Sequence, residues 1–226
     1  HGYFYHHAEW IDANGDGVLD DLLTARARAP ADAAALGELV LLEHDAQVAG
    51  APINRSSAGS WTERVLCAGP DAAFTLARLD DAAAPPQVIA AQFFTDQALR
   101  VYWCAARTWG ACARGGRVRS VTIDDEEGAG YFSVQWTDLD GDGSDEILAT
   151  TNAPGTLPIP PRPRRPCRIR AAALAAARTR DDAPDGRGSV LLYLPPPRGK
   201  WRTAAWSKIR LATGYNPSGS ILPGRG

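Results

Sequence analysis

Two acidic, glycine-broken loops of one design, DANGDGVLDDLL from Asp12 and DLDGDGSDEILA from Asp138, each stand directly before an apolar run. Their flanks match as well, because Trp10 and Trp136 lie two residues ahead of the first aspartate in each copy. Downstream of each loop comes a Gly-led run, GELVLLEH from Gly37 and GSVLLYL from Gly188, then a Trp-led run, WTERVLCAG from Trp61 and WSKIRLATG from Trp206. A third copy lies between them. FTLARLDDAAAPPQVIAAQFF from Phe74 keeps the frame, with Arg78, Asp80 and Ala82 at the places of the acidic residues, and LRVYWCAA from Leu99 and RVRSVTIDD from Arg117 follow. The frames start at residues 12, 78 and 138. A repeat of roughly 60 residues restricts the chain to architectures built of stacked, similar units.

The runs are short, rich in Val, Leu, Ile, Phe, Tyr and Trp, and bounded by Gly, Pro or Asp, which predicts strands rather than helices. Four such runs per unit predict an all-β chain of four-stranded antiparallel sheets, the blades of a β-propeller. One four-stranded sheet cannot bury both of its faces, and a neighbouring blade supplies the missing cover. The expected domain spans residues 1–226, with blades at approximately 3–70, 71–125 and 130–215. Propellers close with about four to eight blades. Three visible blades therefore predict a partial or open propeller: either remaining blades come from sequence outside this chain, or a fourth is assembled from parts the repeat does not mark, or the domain is an open array. Residues 152–187 break the pattern with a Pro-, Arg- and Ala-rich insertion. Its arginines carry no interleaved aromatic residue for base stacking, so a surface insertion is expected there and nucleic acid is not an expected partner.

Within DANGDGVLD, side-chain oxygens fall at loop positions 1, 3, 5 and 9 as Asp12, Asn14, Asp16 and Asp20, with Gly17 at position 6. The other loop places Asp138, Asp140, Asp142, Glu146 and Gly143 at the same positions. A turn that sharp at its glycine folds alternate side chains around one centre. Calcium takes six to eight oxygens at about 2.3–2.6 Å, carboxylates and a backbone carbonyl among them. The carbonyls of Val18 and Ser144, at position 7, would complete the two sets. Magnesium prefers a stiffer octahedron, and transition metals prefer nitrogen or sulfur, which neither loop contains. An EF-hand would need a glutamate at position 12, where Leu23 and Ala149 stand. With Arg78 and Ala82 in its frame, the middle loop is expected to keep the turn without an ion.

On these motif residues the chain resembles the FG-GAP/VCBS repeat proteins, whose propeller blades carry DxDxDGxxD calcium loops like those of integrin α-subunit heads. The resemblance covers most of the chain outside the insertion. It implies two Ca2+ sites that stiffen the blade edges, and a non-enzymatic structural or binding module for a protein or carbohydrate ligand, extracellular or secreted. The resemblance also includes propellers joined to sugar-active lyases, which gives the alternative of a sugar-active lyase or hydrolase domain.

Catalytic signals are sparse. No GxSxG, HExxH or phosphate-binding glycine loop occurs. His6, His7 and Glu9, on the strand before the first loop, form a possible channel cluster, and strand alternation lets only one of the two histidines share a face with Glu9. Ser56 and Ser57 have no nearby base, and Asn54-Arg55-Ser56 forms a glycosylation sequon. The four cysteines lack zinc spacing. Cys104 and Cys112 bracket a segment short enough to fold back, so they are a possible disulfide, and free thiols are the alternative. A formal charge of −2 gives no general nucleic-acid footprint. No apolar run reaches the length of a membrane span. The absence of any Met implies either a processed protein or an excerpt.

Overall fold

A computed structural model describes residues 2–28, 36–44, 61–80, 84–152 and 188–214. The described chain is all-β apart from one short helix. Its strands form three four-stranded sheets, each an antiparallel meander. The first contains β1 (Phe4–Ile11), β2 (Asp21–Arg28), β3 (Leu36–His44) and β4 (Trp61–Ala68). The second contains β5 (Phe74–Ala77), β6 (Gln87–Ala91), β7 (Leu99–Cys104) and β8 (Val118–Asp124). The third contains β9 (Gly130–Thr137), β10 (Glu146–Asn152), β11 (Gly188–Leu194) and β12 (Ser207–Gly214). The repeated runs of the sequence coincide with these strands. The insertion, apart from Asn152 at the end of β10, lies outside the described residues.

Side chains in a strand alternate between faces, and that alternation divides the middle sheet between two cores. Val88 and Ala90 of β6 join Ile11, Leu23, Ala25, Leu39 and Leu41 of the first sheet. Ile89 and Ala91 join Tyr131, Val134, Ile147, Ala149 and Leu191 of the third. β6 is buried on both faces, as a strand with a sheet on either side must be. The first core is completed by α1 (Trp109–Ala113), which the repeat pattern does not predict. Thr108 caps it by accepting from the Ala111 N–H, and Trp109 is fully buried with its indole N–H donating to Pro86 O at 3.1 Å. The disulfide Cys104–Cys112, with Cα atoms 5.9 Å apart, ties α1 to β7, so the predicted pairing is formed.

Polar locks hold the sheets in place. Asp71, fully buried between β4 and β5, accepts from the N–H groups of Phe93, Phe94 and Thr95 and from the Thr95 hydroxyl, which fixes the β6–β7 hairpin. Between the second and third sheets, the Tyr131 and Tyr193 hydroxyls meet at 2.8 Å. Tyr193 donates to Asp124, Lys208 donates to Asp124 and Glu127, and Arg210 donates to Glu127. Burial pushes the Asp124 carboxyl up, but the Lys208 ammonium, the Glu126 N–H and the Tyr193 hydroxyl outweigh it and hold the group below its ordinary value.

Candidate metal centre

The β9–β10 loop follows from its glycines and aspartates. Gly141 and Gly143 have φ of +78° and +86°, the left-handed region that glycine enters without steric cost. Those two reversals turn the backbone N–H groups inward. Asp138 accepts from Gly141 N at 2.7 Å and from Gly143 N at 3.0 Å, Asp140 from Asp142 N at 3.2 Å, and Asp142 from Ser144 N at 2.7 Å. The loop therefore winds around its own carboxylates. Asp138, Asp140 and Glu146 each offer a carboxylate oxygen, all within 4.8 Å of one another. Two oxygens bound to one ion at about 2.4 Å lie at most about 4.8 Å apart. The spacing suits one hard cation, and the all-oxygen donor set suits calcium's class. Asp138 and Asp140 are exposed, and Glu146 is buried at the mouth of β10.

Glu146 has a second task. Its Oε2 accepts from Leu139 N at 3.0 Å. The residue opening the second strand of each other sheet makes the same bond: Gln87 Oε1 accepts from Leu79 N at 2.8 Å and Asp21 Oδ2 from Ala13 N at 3.2 Å. In the ladders, Asp21, Gln87 and Glu146 pair with Ile11, Ala77 and Thr137, the residues just before each loop. A side-chain clamp across the loop base is thus common to all three units, and a neutral amide performs it in the middle one. The sequence repeat does not announce this clamp, because three different residue types carry it.

The β1–β2 loop repeats the turn. Gly15 and Gly17 have φ of +87° and +88°. Asp12 accepts from Gly15 N at 2.6 Å and Gly17 N at 2.8 Å, and Asn14 from Asp16 N at 2.8 Å. The Asn14 amide and the Val18 N–H hold the exposed Asp16 carboxyl below its ordinary value, so it stays ionised. One residue separates the two loops, however. Equal spacing aligns Asp20 with Glu146, whereas strand register makes Asp21 the counterpart of Glu146. Asp21 is buried, with one oxygen on Ala13 N and the other on His44 N at 2.8 Å. Burial, opposed by those two bonds, raises its carboxyl above the ordinary value. Asp20 is buried beside it. Position 3 carries an amide, Asn14. Among the described residues, three carboxylates converge within this distance at the β9–β10 loop and at no other place.

α1 braces the first loop from the second sheet. Gly110 N donates to Ala13 O at 2.8 Å, and a Cβ on Gly110 would sit 2.9 Å from that oxygen. In the middle unit Asp80 accepts from the Trp201 indole at 2.9 Å and pairs with Arg202. Its carboxylate holds the β11–β12 connection instead of facing a loop centre. Ala82 of that frame, Ser56, Ser57 and the Asn54 sequon lie outside the described residues.

His7 and Glu9 share a face, with Nε2 and Oε1 3.1 Å apart and both half-buried, and the His7 ring meets Phe74 edge-on at 4.7 Å. His6 is separate from this pair. A bulge leaves His6 unpaired in β1, and an equivalent bulge leaves Phe132 unpaired in β9. Bulges re-aim side chains. His6 meets Phe94, Phe94 meets Phe93, and Phe93 meets Phe132, so one stripe of rings crosses all three sheets. Among the described residues no helix is long and apolar enough to cross a membrane. Comparison with protein-family models, curated proteins and solved structures returned no match, so the geometry alone supports a functional reading.

Proposed function

We propose that the chain is a calcium-binding, FG-GAP/VCBS-type β-propeller module without catalytic activity, which presents a binding surface to a protein or carbohydrate ligand outside the cell. The observation that carries this reading is the carboxylate trio of Asp138, Asp140 and Glu146, set on a loop wound around its own side chains. The same turn recurs 126 residues earlier, at Asp12. Three sheets that share one meander and stack face to face are the expected units of a propeller. Calcium would cross-link the loop and fix the β9–β10 edge. The first loop would take an ion more weakly, because Asp21 is already bonded twice and Asn14 carries no charge. Chelation is the test. EDTA should lower the melting temperature, and Asp138→Ala should remove most of that effect; a melting temperature indifferent to chelator would sink the calcium reading.

The His7–Glu9 contact favours one second reading, a sugar-active lyase or hydrolase domain in which the imidazole acts as acid or base. Turnover on a glycan panel, abolished by His7→Ala, would establish it. Binding of such a glycan without turnover, unchanged by His7→Ala, would leave the module reading in place.

A further inference from the structure

The two sheet junctions obey one rule. Count from the clamp residue that opens each second strand, Asp21, Gln87 or Glu146. Residues two and four places on face the next sheet along the chain, and residues one and three places on face the previous sheet. Leu23 and Ala25, with cross-strand neighbours Leu41 and Leu39, are thus in the first core, and Ile89 and Ala91, with Val101 and Leu99, are in the second. Facing backward, Val88 and Ala90 are in the first core, and Ile147 and Ala149, with Tyr193 and Leu191, are in the second. Each of these residues is buried.

Among the described residues, two faces carry no sheet. The forward positions of the third sheet are Leu148 and Thr150, paired with Leu192 and Val190. All four are only half-buried, and Leu194 and Ile209 beside them are exposed. The backward positions of the first sheet are Leu22 and Thr24, paired with Leu42 and Val40. Val40 and Thr24 are enclosed, but Leu22 and Leu42 are half-buried and Val65, opposite Val40, is 51% exposed. One face is a forward face and the other a backward face. That is the relation the two existing junctions use; on the backward face Arg26, five places on from Asp21, lies beside the apolar residues and pairs with Glu38 and Glu63.

We propose that the forward face of the third sheet docks on the backward face of the first sheet in a second copy of the chain. The contact continues the existing junctions head to tail. Applied reciprocally, it closes two chains into a six-sheet ring with two-fold symmetry. A heterologous contact of this kind gives a closed ring when its rotation closes and a filament when it does not. Six sheets lie within the four to eight at which propellers close. The ring stripe from His6 to Phe132 then forms half of a surface that the second copy completes. This proposal rests on the propeller reading above.

The full chain, measured by light scattering after size exclusion at about 100 µM, should have a mass of about 48 kDa, twice its 24.1 kDa. Leu192→Arg should return it to a monomer with its circular dichroism unchanged. A wild-type monomer, or an open polymer, overturns the ring. Should Leu192→Arg fail to fold, cross-linking replaces it. Chains carrying Leu192→Cys and Leu42→Cys, each with Cys67→Ser, are mixed and treated with a bis-maleimide of about 10 Å reach, the spacing of packed sheets. A covalent dimer only in the mixture supports the pairing, and equal yields from either variant alone overturn it. A monomer that keeps its calcium-dependent melting shift would refute the dimer and leave the calcium reading standing.

Discussion

Replacing Glu146 by glutamine separates the two tasks of that carboxylate. Gln87 shows that an amide oxygen makes the clamp bond, to Leu79 N at 2.8 Å, as the glutamate does to Leu139 N at 3.0 Å. Glu146→Gln should therefore leave the metal-free protein almost unchanged, within about 0.5 kcal/mol, the ordinary scale for a substitution that disturbs no packing. It removes one of the three charges that meet within 4.8 Å. Extracellular calcium modules bind with Kd of roughly 0.1–1 mM. At about 10 mM calcium such a site adds about 1.4–2.7 kcal/mol. For a chain of this size each kcal/mol moves the melting temperature by about 2–4 °C, so wild-type protein should gain about 3–11 °C. Differential scanning fluorimetry with EDTA and with calcium reads both quantities. Glu146→Gln should keep the EDTA melting temperature and lose most of the calcium gain. Glu146→Ala should lower the EDTA value as well, by about 1–2 kcal/mol for the lost clamp. A glutamine variant with the full wild-type calcium gain would refute the assignment of this carboxylate to the ion.

Three further outcomes follow from the packing. Asp71→Ala leaves three backbone N–H groups without their acceptor, while the Thr95 hydroxyl keeps Gly69 O; it should cost about 3 kcal/mol or more in urea unfolding. The Asp124 carboxyl, held low in the folded state, contributes stability above its unfolded pKa of about 3.9 and loses it as pH falls further through the folded value. Asp124→Asn should flatten the stability profile below about pH 4 and cost about 1–2 kcal/mol at neutral pH, because Lys208 loses one charged partner and keeps Glu127. Reducing Cys104–Cys112, or changing both cysteines to serine, should cost about 2–3 kcal/mol. Amide exchange should quicken at Gly15 and Gly17 too, since the disulfide holds α1 and α1 holds Ala13 O; unchanged exchange there would disprove the brace.

What was legible in the sequence were the features that period two and turn chemistry write locally. The strand runs, the glycine-broken loops, the face shared by one histidine with Glu9, and the Cys104–Cys112 pair all fall within short spans of chain. The features missed depend on distant partners or on register. Asp80 is occupied by Trp201 and Arg202, more than 120 residues away, so a degenerate loop position became an anchor for another sheet. The clamp is carried by Asp, Gln and Glu in turn, which hides it from any motif. The single extra residue in the first loop shifts the closing carboxylate from Asp20 to Asp21, and equal spacing of letters does not reveal a change of ladder register. α1 spans five residues, too few for a helical period to emerge.

Calcium titration of chelator-stripped protein by isothermal calorimetry reads ion binding at both loops. One tighter site, abolished by Asp138→Ala, is expected, with a second, weaker site that Asp138→Ala leaves and Asp12→Ala removes. Absence of binding heat up to about 10 mM calcium, or a titration unchanged by Asp138→Ala, would contradict the calcium reading.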